Sequence, residues 1–242
     1  MEFINEILII SFLTVVQSIF GVGLLLFGTP SFLLLGYDFA NTLNILMPIS
    51  ILISSLQFYR SKIKDSIFIK NYNLYCIPFL ILFLILALNY RDIINFKLYV
   101  AILLIFSSLV ILNKRKFSSF KKIFFKFKNF ILMVIGAIHG FTNMGGSFLA
   151  IYSTLVGKNN KEIARYYISY GYLMMGIIQY LIVLLLAFDE IDFTKFHYAL
   201  IAFIIYFPTQ KIFININDLK FTKYINLIAL LYGILILSNY FN

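Results

Sequence analysis

The chain has 242 residues, of which 62% are hydrophobic and only 12% are charged. A soluble domain carries about 25% charged residues, so this composition predicts a polytopic membrane protein and leaves no polar block long enough for an added soluble domain. The net charge of +10 would suggest a nucleic-acid partner in a soluble protein. Here the Lys and Arg residues lie between hydrophobic runs, where they orient a protein in the bilayer. Cys76 is the only cysteine, which excludes an internal disulfide and a Cys-based metal cluster.

The hydrophobic runs divide the chain into eight predicted elements, because a helix needs ~20 apolar residues to cross a bilayer. Four elements form an N-terminal repeat, 1–112: they are 7–36, 41–59, 72–89 and 97–112. A basic cytoplasmic connector, 113–128, follows. Four more elements form a C-terminal repeat, 129–242: they are 130–157, 163–188, 194–213 and 221–240. Glu2 and Glu6 do not fit the positive start of a cleaved signal peptide, so we expect the N-terminus to be retained.

Elements one and five are interrupted by glycine, proline and hydroxyl residues. The first contains Gly28-Thr29-Pro30-Ser31-Phe32-Leu33, and the second contains Gly145-Gly146-Ser147-Phe148-Leu149-Ala150. These motifs superpose at an offset of 116, whereas Ala40 falls on Ala164 at an offset of 124, which predicts about eight extra residues in the second copy. Irregular backbone at membrane depth survives only where it is packed in protein or lines a wet cavity. Paired broken segments in two halves therefore predict a transporter's binding site between the two hairpins, which we expect to meet near the membrane midplane.

The positive charges favour a topology with two hairpins. If elements one and five enter the membrane and return, one side collects 17 Lys and Arg residues and the other keeps only Arg91, Lys97 and Lys195. Cytoplasmic loops carry the excess of Lys and Arg, so this count predicts six full crossings, two re-entrant hairpins and both termini outside. Three crossings in each half would make the halves inverted repeats. The predicted fold class is therefore an all-α polytopic membrane protein.

Helix physics suggests what the broken segments bind. A helix that begins within the membrane presents unpaired N–H groups and a partial positive charge, both of which favour an anion. Pro30 suits the first turn of such a helix because its missing N–H would be unpaired anyway. Glycines let the backbone approach a ligand, and Thr and Ser donate hydroxyls. The predicted substrate-binding residues are Gly28, Thr29, Pro30, Ser31, His139, Asn143, Gly145, Gly146 and Ser147. The alternative is that these glycines and prolines only allow close helix packing.

The chain resembles the TauE/SafE-type sulfite exporter family of bacterial inner-membrane permeases over essentially its whole length. The resemblance is carried by the following residues: Gly21-Val22-Gly23, Thr29-Pro30, Gly36, Ala40, Gly136, His139-Gly140, Met144-Gly145-Gly146-Ser147, Tyr152, Gly157 and Ala164-Arg165. The first copy departs from the family pattern, with Leu24 to Leu26 where the family is often glycine-rich. Membership would imply ATP-independent transport of a small sulfur-containing anion across the bacterial inner membrane. Which of the two hairpins contributes more to the site stays open.

Other polar residues allow more than one interpretation. His139 lies inside a hydrophobic run, so it is either a donor or proton-coupled switch, or a neutral histidine bonded to a carbonyl. Arg165 either snorkels to the interface or guides anions inward. Gln17, Gln57 and Gln179 are expected to bridge helices.

We expect a secondary transporter, with an exporter favoured over a proton-coupled importer. A membrane assembly protein without transport is the alternative from another class. The sequence carries no H-E-x-x-H or G-x-S-x-G motif, and we expect neither an enzyme nor a cofactor or metal site. The expected partners are a small anion and the lipid bilayer, with no nucleic acid, and a homodimer is left open.

Overall fold

The computed structural model describes residues 2–90, 93–96, 98–99, 102–103, 105, 125–157, 160–215, 234 and 238. Within these ranges the regular elements are all helical, and nine α-helices have both ends described: α1 (Glu2–Phe20), α2 (Leu24–Leu34), α3 (Phe39–Arg60), α4 (Ser66–Tyr75), α5 (Ile77–Asn89), α6 (Lys128–Thr142), α7 (Gly146–Val156), α8 (Lys161–Leu186) and α9 (His197–Asn215). Two 3-10 turns, Phe188–Glu190 and Phe193–Phe196, join α8 to α9. Most of the predicted elements 97–112 and 221–240, and most of the connector, lie outside the described residues.

Four helical segments are long and apolar enough to cross a membrane: Phe39–Arg60, Ser66–Asn89, Lys161–Leu186 and Phe193–Asn215. The second of these contains both α4 and α5, which meet at Cys76, with a proline in the first turn of α5. The four segments correspond to the predicted elements 41–59, 72–89, 163–188 and 194–213. The structure therefore confirms that the described residues fold as helices and that some of these helices are long and apolar enough to span a membrane.

Side-chain caps fix where the spanning helices begin. Asp38 accepts a hydrogen bond from the Asn41 N–H (2.8 Å) and begins α3, and Asn160 does the same for α8. Asp65 accepts from the Phe68 N–H at 2.9 Å and begins α4 at Ser66, six residues before the predicted start. Hydrophobicity alone missed that start because the first turns of α4 are polar, whereas capping does not depend on hydrophobicity.

The broken elements are each resolved into two helices. The first break lies at 21–23, where Gly21 and Gly23 have φ of 74° and 140°. The second lies at 143–145, where Asn143 takes the left-handed conformation with φ of 62°. These are conformations that glycine adopts freely and asparagine tolerates. Each break is followed by an 11-residue helix, α2 or α7.

The structure corrects the predicted register between the halves. Leu24 and Gly146, which begin α2 and α7, are 122 positions apart, and so are the capping residues Asp38 and Asn160. The offsets of 116 and 124 and the extra eight residues are therefore wrong. Pro30 is the seventh residue of α2 and lies inside that helix, so the prediction that it opens the second arm is also wrong.

The two halves pack into each other. Helix α3 lies antiparallel to α8: Phe58 near the end of α3 stacks on Tyr166 near the start of α8, with ring centroids 5.3 Å apart. Helix α1 packs against α9, and α6 packs against α5. A Cβ built on Gly136 or Gly140 of α6 would lie 2.1 Å from the Cys76 carbonyl oxygen or 2.3 Å from that of Leu80. Such close approach is typical of helix pairs in membranes.

Candidate functional site

The second break presents the N-terminus of α7 inside the protein. The first α-helical bond of α7 runs from Leu149 N–H to Gly145 O (2.9 Å), and no described side chain caps the helix. The N–H groups of Gly146 and Ser147 precede that bond. Early N–H groups of a helix point along its axis without an intrahelical acceptor, and the helix dipole adds positive charge there. The start of α7 is therefore suited to an anion.

Four side chains around this helix start carry a polar atom that has no hydrogen-bond partner among the described residues. These atoms are His139 Nδ1, Asn143 Oδ1, Tyr172 Oη and Gln179 Nε2. All four side chains are fully buried. Each buried polar atom without a partner costs about 1–3 kcal/mol of folding free energy. Four such atoms in one place therefore call for an explanation. A ligand that pairs with these atoms would supply one.

Hydrogen bonds and close contacts bring these side chains together. His139 Nε2 lies 2.9 Å from Gln179 Oε1, which joins α6 to α8. The His139 ring meets Tyr172 edge-on, with centroids 6.1 Å apart. Tyr172 also stands over the start of α7, since a Cβ built on Gly146 would lie 1.6 Å from its Oη. The glycine therefore makes room for the tyrosine hydroxyl at the first residue of the helix.

The other half of the molecule reaches this break through Thr29. Asn143 Nδ2 donates to Thr29 Oγ1 at 2.9 Å, across 114 positions of sequence. Of the nine predicted binding residues, the structure brings six together at the second break: Thr29, His139, Asn143, Gly145, Gly146 and Ser147. The remaining three lie along α2. Gly28 faces Leu46 and Leu13, and the Ser31 hydroxyl donates to the Phe27 carbonyl (2.7 Å).

The first break is arranged differently, because a side chain caps its helix. The Leu24 N–H, the first of α2, donates to Gln17 Oε1 at 3.2 Å. The amide nitrogen of Gln17 lies 3.3 Å from Ser50 Oγ and 3.2 Å from Ser54 Oγ of α3. Gln57 Nε2 donates to the Gln17 carbonyl at 2.8 Å. The amide oxygen of Gln57 has no hydrogen-bond partner among the described residues. Acceptor oxygens at this helix start disfavour an anion.

The two breaks are nevertheless built on equivalent positions. Gln17 and His139 are 122 residues apart, as are Gln57 and Gln179. In each half the N–H of the residue that opens the break, Gly21 or Asn143, donates to the carbonyl oxygen of Gln17 or His139 at 2.7 Å. The expectation that the three buried glutamines bridge helices is confirmed. The difference is that glutamine caps the next helix and histidine does not.

The two breaks lie at different depths along the α3–α8 pair. Ile51 of α3 is next to Gly176 of α8, and the helices are antiparallel. Gln179 lies three residues beyond Gly176, and Gln57 lies six residues beyond Ile51 in the opposite direction. At 1.5 Å per residue the breaks are separated by about 14 Å along the pair.

Arg165 lies at the first break instead of the second. Its Nη2 donates to the Ser18 carbonyl (3.2 Å) and to Gln210 Oε1 (2.6 Å), and its guanidinium stacks on Phe213. A cation at the last carbonyls of a helix is favourable for the helix dipole, so Arg165 stabilises the end of α1. A role in guiding anions stays a prediction.

Sequence reasoning missed Tyr172. It lies seven residues before Gln179, two turns along α8, on the same side of that helix. A polar pair at this spacing in an apolar helix was the available signal. Without the position of α7 the signal did not separate Tyr172 from the many other tyrosines of the chain.

Comparisons of the chain with protein-family models, with curated proteins and with solved structures gave no match.

Proposed function

We propose that this protein is a secondary transporter that exports a small sulfur-containing anion, such as sulfite or an organosulfonate. The observation that supports this most is the uncapped start of α7, which is surrounded by four fully buried side chains with unpaired polar atoms. At the first break, by contrast, Gln17 Oε1 accepts a hydrogen bond from the first N–H of α2. The resemblance to the TauE/SafE-type family favours the same substrate class.

We also propose that α1–α2 and α6–α7 are re-entrant hairpins of two inverted repeats. Asn5, near the start of α1, lines the same surface cleft as Gly36, which follows α2, so the two ends of the first hairpin lie at one end of the molecule. The contacts between helices are also consistent with two repeats. The contact of α1 with α9 corresponds to that of α6 with α5, and the contact of α2 with α3 corresponds to that of α7 with α8. The contact of α3 with α8 joins corresponding helices of the two halves. Cysteines added at both termini test this topology. Labelling of both from outside intact cells supports it, and protection of either contradicts it.

The proposed direction follows from electrostatics. An inside-negative potential supplies ~2.3 kcal/mol per 100 mV toward export of a monovalent anion, so a carrier without a coupling ion would export. We propose that the protein is a multi-pass protein of the bacterial inner membrane, where such a potential exists. No cofactor is needed for this mechanism.

Efflux from proteoliposomes tests the function. Vesicles loaded with radiolabelled sulfite or an organosulfonate should release it faster when a potassium gradient and valinomycin make the interior negative. Protein-free vesicles are the control. Absence of flux for sulfite and for every organosulfonate tested would contradict a carrier and favour a membrane assembly protein.

Proton-coupled import is a second candidate because of His139. Its Nδ1 is unpaired and fully buried at the proposed anion site, which is where a coupling proton would be bound. If a pH gradient alone drives flux, and His139→Gln abolishes that drive, import replaces export. Flux that follows the membrane potential in both proteins supports export.

A further inference from the structure

We infer that the anion carried at the second break bears a hydrogen-bond donor of its own. The inference rests on the proposed function and concerns the polar atoms that are already in the site. Anion carriers are commonly considered in terms of donors alone. The second break combines donors with acceptors, and a ligand has to satisfy both.

The donors are at the start of α7 and on α8. They comprise the N–H groups of Gly146 and Ser147, the Gln179 amide nitrogen and the Tyr172 hydroxyl. These groups suit the sulfonate or sulfite oxygens, which only accept. No Lys or Arg side chain is bonded to any of the four unpaired atoms in the described part of the chain.

The acceptors are Asn143 Oδ1 and His139 Nδ1. Asn143 uses its amide nitrogen on Thr29, which leaves its carbonyl oxygen unpaired. The amide oxygen of Gln179 can only accept, so its 2.9 Å contact with His139 Nε2 requires the proton on Nε2. The neutral ring then presents Nδ1 as a lone pair.

An anion with only acceptor atoms leaves these two acceptors unpaired, or brings its own lone pairs against them. A site with buried hydrogen-bonding groups discriminates strongly against an analogue that lacks the matching group. A hydroxylated sulfonate places its charged end at α7 and donates its one hydroxyl proton to Asn143 Oδ1 or to His139 Nδ1, so it pairs one of the two acceptors. Singly protonated sulfite meets the same requirement, whereas a simple alkylsulfonate does not.

A matched pair of compounds tests the inference: 2-hydroxyethanesulfonate and ethanesulfonate carry the same charge and differ by one hydroxyl. The full-length protein in detergent is heated with each compound, and unfolding is followed by a thiol-reactive dye on the buried Cys76. A ligand that binds the folded state raises the melting temperature, and at equal concentration the tighter ligand raises it more. We expect 2-hydroxyethanesulfonate to bind at least about tenfold more tightly.

Equal affinity, or tighter binding of ethanesulfonate, would overturn the inference and leave the proposed transport of sulfonates intact. Failure of both compounds to bind at any concentration would overturn the inference and also count against sulfonates as substrates of the proposed carrier. These two failures are therefore distinguishable in one experiment.

A variant pair locates the preference at Asn143. Asn143→Gly removes the carbonyl acceptor, and glycine tolerates the φ of 62° at this position. The preference for the hydroxylated compound should fall to about threefold or less. Thr154→Val is the control. Thr154 lies near the end of α7, and its hydroxyl already donates to the Ala150 carbonyl at 2.7 Å. An unchanged preference in Asn143→Gly would show that Asn143 is not the acceptor and overturn this assignment.

Discussion

At Gly146 the main chain lies too close to Tyr172 to admit a side chain. A Cβ at this position would lie 1.6 Å from Tyr172 Oη and 2.3 Å from Cζ. Gly146→Ala should therefore lower the free energy of unfolding by about 1–3 kcal/mol, as overpacking does in cores. Tyr172→Leu shortens the opposing side chain and should recover part of that loss. Melting temperatures of the two single variants and the double variant measure the coupling. Simple additivity would contradict a direct contact.

A buried ion pair between α1 and the turn before α9 gives a prediction about charge. Glu6 is 3% exposed and Lys195 is 23% exposed in their side chains, with 2.8 Å between Lys195 Nζ and Glu6 Oε2. Tyr37 and Tyr198 also donate to the Glu6 carboxylate. Lys195→Met leaves a buried carboxylate without its cation, whereas Glu6→Gln leaves a lysine that reaches water. We expect Lys195→Met to lower the melting temperature more. The reverse order would show that the lysine is the less solvated partner.

Asp65, in the loop before α4, gives a prediction about acid stability. Burial raises the pKa of its carboxyl, but hydrogen bonds from the Tyr167 hydroxyl (2.6 Å) and from backbone N–H groups outweigh burial, and the pKa lies below the ordinary value of 3.8. A carboxyl with a lowered pKa in the folded state stabilises the fold above its unfolded pKa. That stabilisation is lost as the pH falls through the folded value.

The consequence is that Tyr167→Phe should lose less stability than the wild type between about pH 5 and pH 2. Melting curves at a series of pH values in the same detergent measure this difference. Tyr59→Phe is the control because Tyr59 is 79% exposed. Parallel pH profiles for wild type and Tyr167→Phe would contradict the assigned cause.

At the scale of helices, the contact between α5 and α6 depends on two glycines. Gly136 and Gly140 lie one turn apart and face backbone carbonyls of the opposite helix. Gly136→Ala would place a Cβ 2.1 Å from a carbonyl oxygen that cannot move independently of α5, so it should be strongly destabilising. Val134→Ala on the exposed side of α6, at 38% exposure, should change stability by less than about 0.5–1 kcal/mol. Similar losses for both variants would show that α6 does not pack in this way.

The helices that are long enough to cross a membrane were predictable because their apolar runs are long and continuous. The ends of α3, for example, differ from the predicted 41–59 by two residues and one residue. The positions of the breaks were not predictable in the same way. The Gly28–Pro30 motif looks like a helix breaker, yet Pro30 lies inside α2, and the real break is at the positive-φ residues Gly21 and Gly23. Sequence similarity between motifs thus gave a register six residues away from the structural one.

The candidate site was partly predictable for a related reason. Glycines, His139 and Asn143 stand out in an apolar segment, and the residue types alone suggested a ligand. Tyr172 and the capping role of Gln17 depend on contacts between helices far apart in sequence. These contacts decide which of the two breaks has a free helix start, and residue types alone do not contain that information.

At the scale of the whole molecule, the two breaks differ in whether a side chain pairs the N–H groups at the start of the following helix. The first is capped by Gln17, and the second is uncapped and surrounded by unpaired buried atoms. In alternating access, both hairpins would move relative to the helices, but only the second would hold the anion. The central claim is that the start of α7 is the anion site.

Counterflow of radiolabelled 2-hydroxyethanesulfonate or sulfite into preloaded proteoliposomes, measured for wild type, Gly146→Leu and Gln17→Leu, tests that claim most directly. Rates are normalised to the amount of folded protein. We expect transport by Gly146→Leu to fall to the rate of protein-free vesicles, because the new side chain would collide with Tyr172 and obstruct the start of α7. Gln17→Leu should lower the melting temperature but keep a rate within about threefold of wild type. Wild-type flux in Gly146→Leu, or equal loss of flux in both variants, would contradict the assignment of the anion site to the second break.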